Sequence, residues 1–126
     1  MPVCLLAAGV TLEIATAAFT LAWSHTVEHQ PWQEDWRVGR DHLQLVEMRV
    51  TGSGAGMEPP PGSRLEGGWY VWRPELELRD ELVLRRAGQG EGPVGDWLFC
   101  PDGGACSALG ALVGAESDPV TIAPCE

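Results

Sequence analysis

The chain has 126 residues, enough for one domain spanning residues 1–126 with a single hydrophobic core. Hydrophobic residues make up 44% of it, which excludes intrinsic disorder, and the formal net charge is −10 with no lysine present. An acidic surface repels phosphate groups, so this charge excludes nucleic-acid binding and disfavours anionic membrane surfaces. It favours cationic partners, or it serves only to keep the protein soluble.

In chain order, the predicted elements are short strands separated by glycine-rich and proline-rich turns. Apolar residues recur with a period of two, which is the pattern of a strand with one buried face. The pattern predicts an all-β fold, an antiparallel β-sandwich or small barrel of about nine or ten short strands. One helical turn is expected near residues 108–114. Besides the hairpin described next, the predicted strands are 3–7, 11–14, 19–27, 32–38, 43–51, 69–72, 76–78, 82–84 and 120–123.

Four cysteines predict two disulfides and an oxidising compartment. Cys100 and Cys106 flank Pro-Asp-Gly-Gly-Ala, a strong turn sequence, so a hairpin there sets the two cysteines side by side. Cys4 and Cys125 remain for the second disulfide, which requires the first and last strands to pair. A four-cysteine zinc site is a weaker alternative, because no two cysteines have the close spacing of a zinc knuckle. Four free buried thiols are a third.

The start of the chain bears on its location. Residues 1–4 lack the basic start of a signal peptide, and the longest apolar stretch, residues 15–23, is too short to cross a bilayer. We therefore expect no direct membrane insertion. Three explanations stay open for the missing leader: it was removed, the start codon is misplaced, or the protein is cytoplasmic.

The densest cluster of polar residues is His25-Thr-Val-Glu28-His29, followed by Glu34 and Asp35. Imidazole and carboxylate groups bind divalent metal ions and polar ligands. Residues three apart on a strand point to opposite faces, however, so His25 and Glu28 meet only if a turn or bulge lies between them. A hydrogen-bonded structural histidine beside a solvated acid is the simpler interpretation.

The segment from residue 52 to residue 62 contains four glycines and three consecutive prolines. It does not match a phosphate-binding loop, because no lysine follows the glycines and Glu58 would repel phosphate. A loop of this length within a compact domain is either a binding element or a packed Ω-loop. No serine has a triad partner at a plausible spacing, so the chain is not predicted to be an enzyme.

Several strings resemble one bacterial family, catalogued as domain of unknown function 1850. They are Phe19-Thr-Leu-Ala-Trp-Ser-His-Thr-Val-Glu28, Trp32-Gln-Glu-Asp-Trp-Arg-Val38, Ser53-Gly-Ala-Gly-Met-Glu-Pro-Pro60 and Gly68-Trp-Tyr-Val-Trp72, with the late Cys100 and Cys106. The family's pattern marks ten residues as the candidate site. These are His25, Glu28, Glu34, Asp35, Trp36, Ser53, Gly54, Gly56, Met57 and Glu58.

The resemblance implies a role in transport rather than a reaction. Members are typically encoded beside tripartite ATP-independent periplasmic transporters of the TAXI type, which implies a non-enzymatic accessory protein that contacts a transporter subunit or the solute-binding protein. A periplasmic or extracytoplasmic location follows, and no cofactor is expected. The alternative is a periplasmic module that binds a small ligand or a divalent metal through His25, Glu28 and Glu58.

We expect the functional surface to combine the loop at residues 52–62 with the turn region at residues 25–35. A proline-stiffened loop loses little entropy on binding, and tryptophan is enriched at binding hot spots. The alternative is that both segments only pack on each other, with Trp36 in the core and Glu58 paired to an arginine such as Arg37.

Overall fold

The computed structural model of the chain describes residues 2–24, 31–51, 62–75, 77–85 and 96–125. Within them lie twelve strands and one short helix, α1 (Leu109–Val113). The strands are β1 (Val3–Ala7), β2 (Val10–Ile14), β3 (Ala18–Ser24), β4 (Pro31–Val38), β5 (Leu43–Thr51), β6 (Arg64–Glu66), β7 (Trp69–Trp72), β8 (Glu77–Arg79), β9 (Leu82–Leu84), β10 (Leu98–Pro101), β11 (Ser107–Ala108) and β12 (Val120–Pro124).

The small sheet holds β2, β1, β12 and β9 in that order, and all its pairs are antiparallel. The first and last strands are therefore neighbours, with Cys4 directly opposite Ala123. Cys125 lies two residues further along and forms a disulfide with Cys4, with the two Cα atoms 5.1 Å apart. This bridge joins the two ends of the chain, as the sequence predicts.

The large sheet has the order β11, β10, β3, β4, β5, β7 and β6, and β8 pairs with the part of β5 that β7 leaves free. Its β10–β11 hairpin is closed by the second predicted disulfide, Cys100–Cys106, with Cα atoms 4.1 Å apart. The turn between these cysteines needs Gly103, whose φ of 75° suits glycine.

A bulge in β5 sets which of its side chains face inward. Asp35 lies opposite Glu47, but the next residue, Trp36, lies opposite Leu45, so Val46 is an extra residue. Leu45 and Met48 are three apart, and a regular strand would send them to opposite faces. The bulge lets both face the same way as Trp36 and Glu34, their partners on β4.

The two sheets pack face to face over one shared core, which makes the fold a β-sandwich. The small sheet contributes side chains from β1, β12 and β9, the large sheet contributes side chains from β3, β4, β5 and β10, and α1 covers one end. The core residues are Val3, Leu5, Phe19, Leu21, Trp36, Val38, Leu43, Leu45, Leu84, Phe99, Leu109, Val113, Val120 and Ile122. We call the face of the large sheet that carries these residues its inner face.

The predicted all-β, antiparallel, disulfide-linked fold is confirmed. Strand β11 is the second strand of the predicted hairpin, whereas β6, which has only three residues and no alternation in the sequence, was not predicted. α1 lies where a helical turn was expected. Within the described ranges, no helix has the length and hydrophobicity that crossing a membrane requires.

Candidate functional site

Only three of the ten candidate site residues lie in the part of the chain that the structure describes. Glu34, Asp35 and Trp36 are consecutive residues of β4. The other seven stay predictions, since they lie outside the described residues: His25, Glu28, Ser53, Gly54, Gly56, Met57 and Glu58. These seven residues fall in two ranges, 25–30 and 52–61. The strand ends next to the two ranges are neighbours, because Trp23 lies opposite Trp32, and Trp32 lies opposite Val50.

The structure does not bring the three described candidates into one site. Successive residues of a strand point to opposite faces, so Glu34 and Trp36 lie on the inner face and Asp35 on the outer face. Trp36 is only 4% exposed and belongs to the shared core. Trp36 therefore packs in the core, as the alternative interpretation predicts, and its role in binding stays a prediction.

Glu34 holds two tryptophans in place. One carboxylate oxygen accepts a hydrogen bond from the Trp32 indole N–H at 2.9 Å, and the other accepts one from the Trp36 indole at 3.0 Å. A half-buried carboxylate is costly without donors, and these two indoles supply them. The Glu34 side chain therefore fixes the orientation of both rings on the inner face.

Five aromatic residues form what we call the aromatic surface. Trp23, Trp32 and Tyr70 fall in one row across β3, β4 and β7, with Val50 of β5 between the last two. Trp97 stacks on Trp23 with ring centroids 5.8 Å apart, and Trp72 meets Trp32 edge to face at 6.4 Å. All five aromatic side chains are half-buried.

The aromatic surface lies apart from most of the shared core. Trp97 packs against that core, whereas Trp23, Trp32 and Trp72 do not belong to the set of half-buried residues that do. Large aromatic side chains that keep some exposure and hold fixed orientations are suited to binding, because little rotational freedom is lost on contact.

The outer face carries a network centred on Arg49. Its guanidinium binds both oxygens of Asp35 at 2.7 Å each, reaches Glu47 at 2.6 Å, and donates to Gln33 at 2.9 Å. Thr20 donates a further hydrogen bond to Asp35 at 2.7 Å. Asp35 and Glu47 face each other across β4 and β5, where like charges repel, so Arg49 neutralises an otherwise unfavourable pair.

The same contacts keep Asp35 ionised. Partial burial alone would raise the pKa of its carboxyl group, but the hydrogen bonds from Arg49 and Thr20 and the arginine charge outweigh burial and lower that pKa. The contacts with Asp35 and Glu47 likewise raise the pKa of Arg49 against the opposing effect of burial. Asp35 is therefore a structural ion-pair partner and is not available as a general acid.

A third group of potential ligands lies on the small sheet. The Cys4 and Cys125 sulfurs and a Glu13 carboxylate oxygen lie within 4.8 Å of one another. The disulfide occupies both sulfurs, so the group does not offer thiolates to a metal ion in this state. The predicted cysteine pairing, rather than the alternative zinc site, is what the structure contains.

Sequence reasoning missed Arg49 and did not place the tryptophans together. One arginine within a strand gives no sign of its partners, and Asp35 is 14 residues away. The tryptophan row depends on the register of β3, β4 and β5, which local sequence does not fix.

A comparison with protein-family models matches residues 19–95 to the family described as "Domain of unknown function (DUF1850)". The match covers more than half of the chain. The chain belongs to this family. Comparisons with curated proteins and with solved structures found no match.

The family region contains the residues just described on both faces of the large sheet. Trp23, Trp32, Tyr70 and Trp72 lie inside it, as does the Arg49 network, whereas Trp97 lies beyond its end. All four cysteines lie outside the matched residues. Cys100 and Cys106, which the sequence resemblance also used, therefore lie outside the family match.

Proposed function

We propose that the chain is a non-enzymatic accessory protein of a TAXI-type tripartite ATP-independent periplasmic uptake system. In this role it binds a transporter subunit or the solute-binding protein. Family membership supports the proposal through the association that the resemblance implies. The observation that carries the binding role is the aromatic surface.

The aromatic surface has the composition of a binding hot spot. Tryptophan and tyrosine are the residues whose truncation most often weakens protein complexes, and they combine a large apolar area with one polar group. The Glu34 bridge holds Trp32 and Trp36 before any partner arrives. Such preorganisation lowers the entropic cost of association.

The charged groups nearby support binding rather than catalysis. Both Glu34 oxygens accept indole N–H groups, and Asp35 is held by Arg49 and Thr20. A general acid or base must be free to exchange a proton with a substrate, and these contacts oppose that exchange. Both candidate carboxylates that the structure describes therefore have structural partners.

The disulfides support the periplasmic part of the proposal. Two disulfides, one joining the ends of the chain, are typical of proteins that mature in oxidising compartments. The bacterial periplasm is such a compartment, and it is where the solute-binding protein of the uptake system acts.

A matched pair of tryptophan variants tests the proposal. Trp72 belongs to the aromatic surface, and Trp69 is a half-buried tryptophan on the opposite face of the same strand. We expect Trp72→Ala to weaken binding to the purified TAXI-type solute-binding protein or membrane subunits by about tenfold or more, measured by isothermal titration calorimetry. Trp69→Ala should retain the wild-type affinity.

Melting curves control for loss of fold in both variants. Equal affinity for the wild type and Trp72→Ala would contradict the role of the aromatic surface. No binding of the wild-type chain to any of these subunits would contradict the accessory function itself.

A further inference from the structure

A cleft of about 330 Å³ opens between the two sheets, beside the aromatic surface. On the large sheet it is lined by Glu34, Trp36 and Met48, and on the small sheet by the residues of β9, Leu82–Leu84. Its volume is at the lower end of the range for ligand sites, so it suits a single side chain better than a larger molecule.

The cleft carries an excess of negative charge. Glu34, Glu77 and Glu81 line it together with one cation, Arg79, whose guanidinium lies 3.2 Å from the Glu77 carboxylate. Among the described residues, no cation lies within ion-pair distance of Glu34 or Glu81. Each oxygen of Glu34 accepts one indole N–H and keeps a lone pair for another donor.

We propose that this cleft binds a lysine side chain supplied by a protein partner. The ammonium group takes hydrogen bonds at the Glu34 carboxylate, while the alkyl stem lies along Met48 and Leu82. The excess of carboxylates in the cleft and the net charge of −10 favour a cationic occupant. Because the sequence contains no lysine, a lysine in the cleft comes from another protein. That the lysine belongs to a protein rests on the proposed accessory function.

Two blocked tripeptides test the assignment on the isolated wild-type chain. One is Gly-Lys-Gly, and the other contains norleucine in place of lysine, which keeps the alkyl stem and removes the charge. We expect the lysine peptide to shift the indole N–H signals of Trp32 and Trp36 in NMR spectra, with a Kd on the order of 1 mM. The norleucine peptide should bind at least about tenfold more weakly.

A charge-removing variant locates the binding. Glu34→Gln should lower the affinity for the lysine peptide by about tenfold or more, because it removes a charge-assisted hydrogen bond. Glu66→Gln removes one charge from the exposed edge strand β6 and should leave the affinity unchanged. If Glu34→Gln does not fold, Glu81→Gln replaces it in the test. Glu81 is an exposed residue of the cleft, so this variant should weaken binding about two- to threefold.

Three results would overturn the assignment. The first is equal binding of the lysine and norleucine peptides, and the second is an unchanged affinity in Glu34→Gln or, where that variant does not fold, in Glu81→Gln. The third is a Kd below about 10 μM for n-butylammonium alone, which would identify a free amine as the ligand. Because no transport protein is present, a negative result leaves the accessory function untouched.

Discussion

Arg49 is the residue on which the outer face of the large sheet depends most. Its side chain is 20% exposed and that of Asp35 is 33% exposed, so water screens their interaction only in part. The guanidinium also separates Asp35 from Glu47, which lie directly opposite each other. Loss of Arg49 therefore removes three charged contacts and leaves two like charges facing each other.

We expect Arg49→Met to lower the free energy of unfolding by about 1–3 kcal/mol, because it keeps most of the side-chain volume but leaves Asp35 without a cation and Glu47 with only the exposed Arg73. Urea denaturation measures this change. Arg64→Met is the matched control, because Arg64 forms an exposed ion pair with Glu66 on edge strand β6, with side chains 59% and 54% exposed. The control should lose no more than about 0.5 kcal/mol. Equal losses in the two variants would contradict the role assigned to Arg49.

Asp35 predicts how stability changes in acid. Its pKa is lower in the folded chain than the value of about 3.9 expected when unfolded, so the folded state binds the proton more weakly. The stabilisation from its ionised form is complete above the unfolded pKa and is lost as the pH falls through the folded pKa. Asp35→Asn removes this contribution.

The expected result is a smaller fall in the free energy of unfolding between pH 5 and pH 2 for Asp35→Asn than for the wild type. Denaturant titrations at several pH values supply the comparison. Asp80→Asn, at an exposed position between β8 and β9, should keep the wild-type fall. A wild-type acid response in Asp35→Asn would show that the ion pair does not contribute.

At the scale of elements, the two disulfides constrain very different lengths of chain. Cys4 and Cys125 are 121 residues apart, whereas Cys100 and Cys106 are 6 apart. In the chain-entropy model, the stabilisation from a disulfide grows with the logarithm of the loop that it closes. The bridge between the chain ends should therefore matter more.

We expect the Cys4→Ala/Cys125→Ala variant to lose about 5 kcal/mol of stability and the Cys100→Ala/Cys106→Ala variant about 2 kcal/mol. Urea unfolding of the two double variants under oxidising conditions tests the order. A greater loss from removing the hairpin disulfide would contradict it and would indicate that native contacts at the hairpin dominate.

The elements differ in how well the sequence predicts them. Strands β1 and β4 were predicted close to their observed bounds, β1 from a short apolar run and β4 from the period of two between Trp36 and Val38, because one face of each packs in the shared core. Strand β6 was missed because Leu65 is 65% exposed and two charged residues flank it, so no buried face marks the strand. The bulge at Val46 was also missed, since it depends on pairing with β4.

At the scale of the whole molecule, the sequence predicted the architecture better than the site. An all-β fold, antiparallel pairing and both disulfides follow from periodicity, turns and cysteine positions, whereas the choice between a sandwich and a small barrel stayed open. The site depends on which strands are neighbours and in which register, and these are tertiary properties. Consequently the pattern of the resembling family groups Glu34, Asp35 and Trp36 in one site, although the sheet separates them onto two faces.

The overall charge fits the same account. A net charge of −10 would steer the chain toward a partner with a basic surface and would make the association rate sensitive to salt. The cleft beside the aromatic surface provides a place where one such basic side chain could bind. Under the proposed function, both features favour a partner with a basic surface.

The most direct test of the accessory function is co-purification of the tagged wild-type chain from the native periplasm and membranes, followed by quantitative mass spectrometry. The account predicts that TAXI-type solute-binding protein or membrane subunits are enriched with the wild type and with Trp69→Ala. It predicts that they are depleted by about tenfold or more with Trp72→Ala. If the tagged chain is present at its native amount and none of these subunits is enriched with it, the accessory function is contradicted.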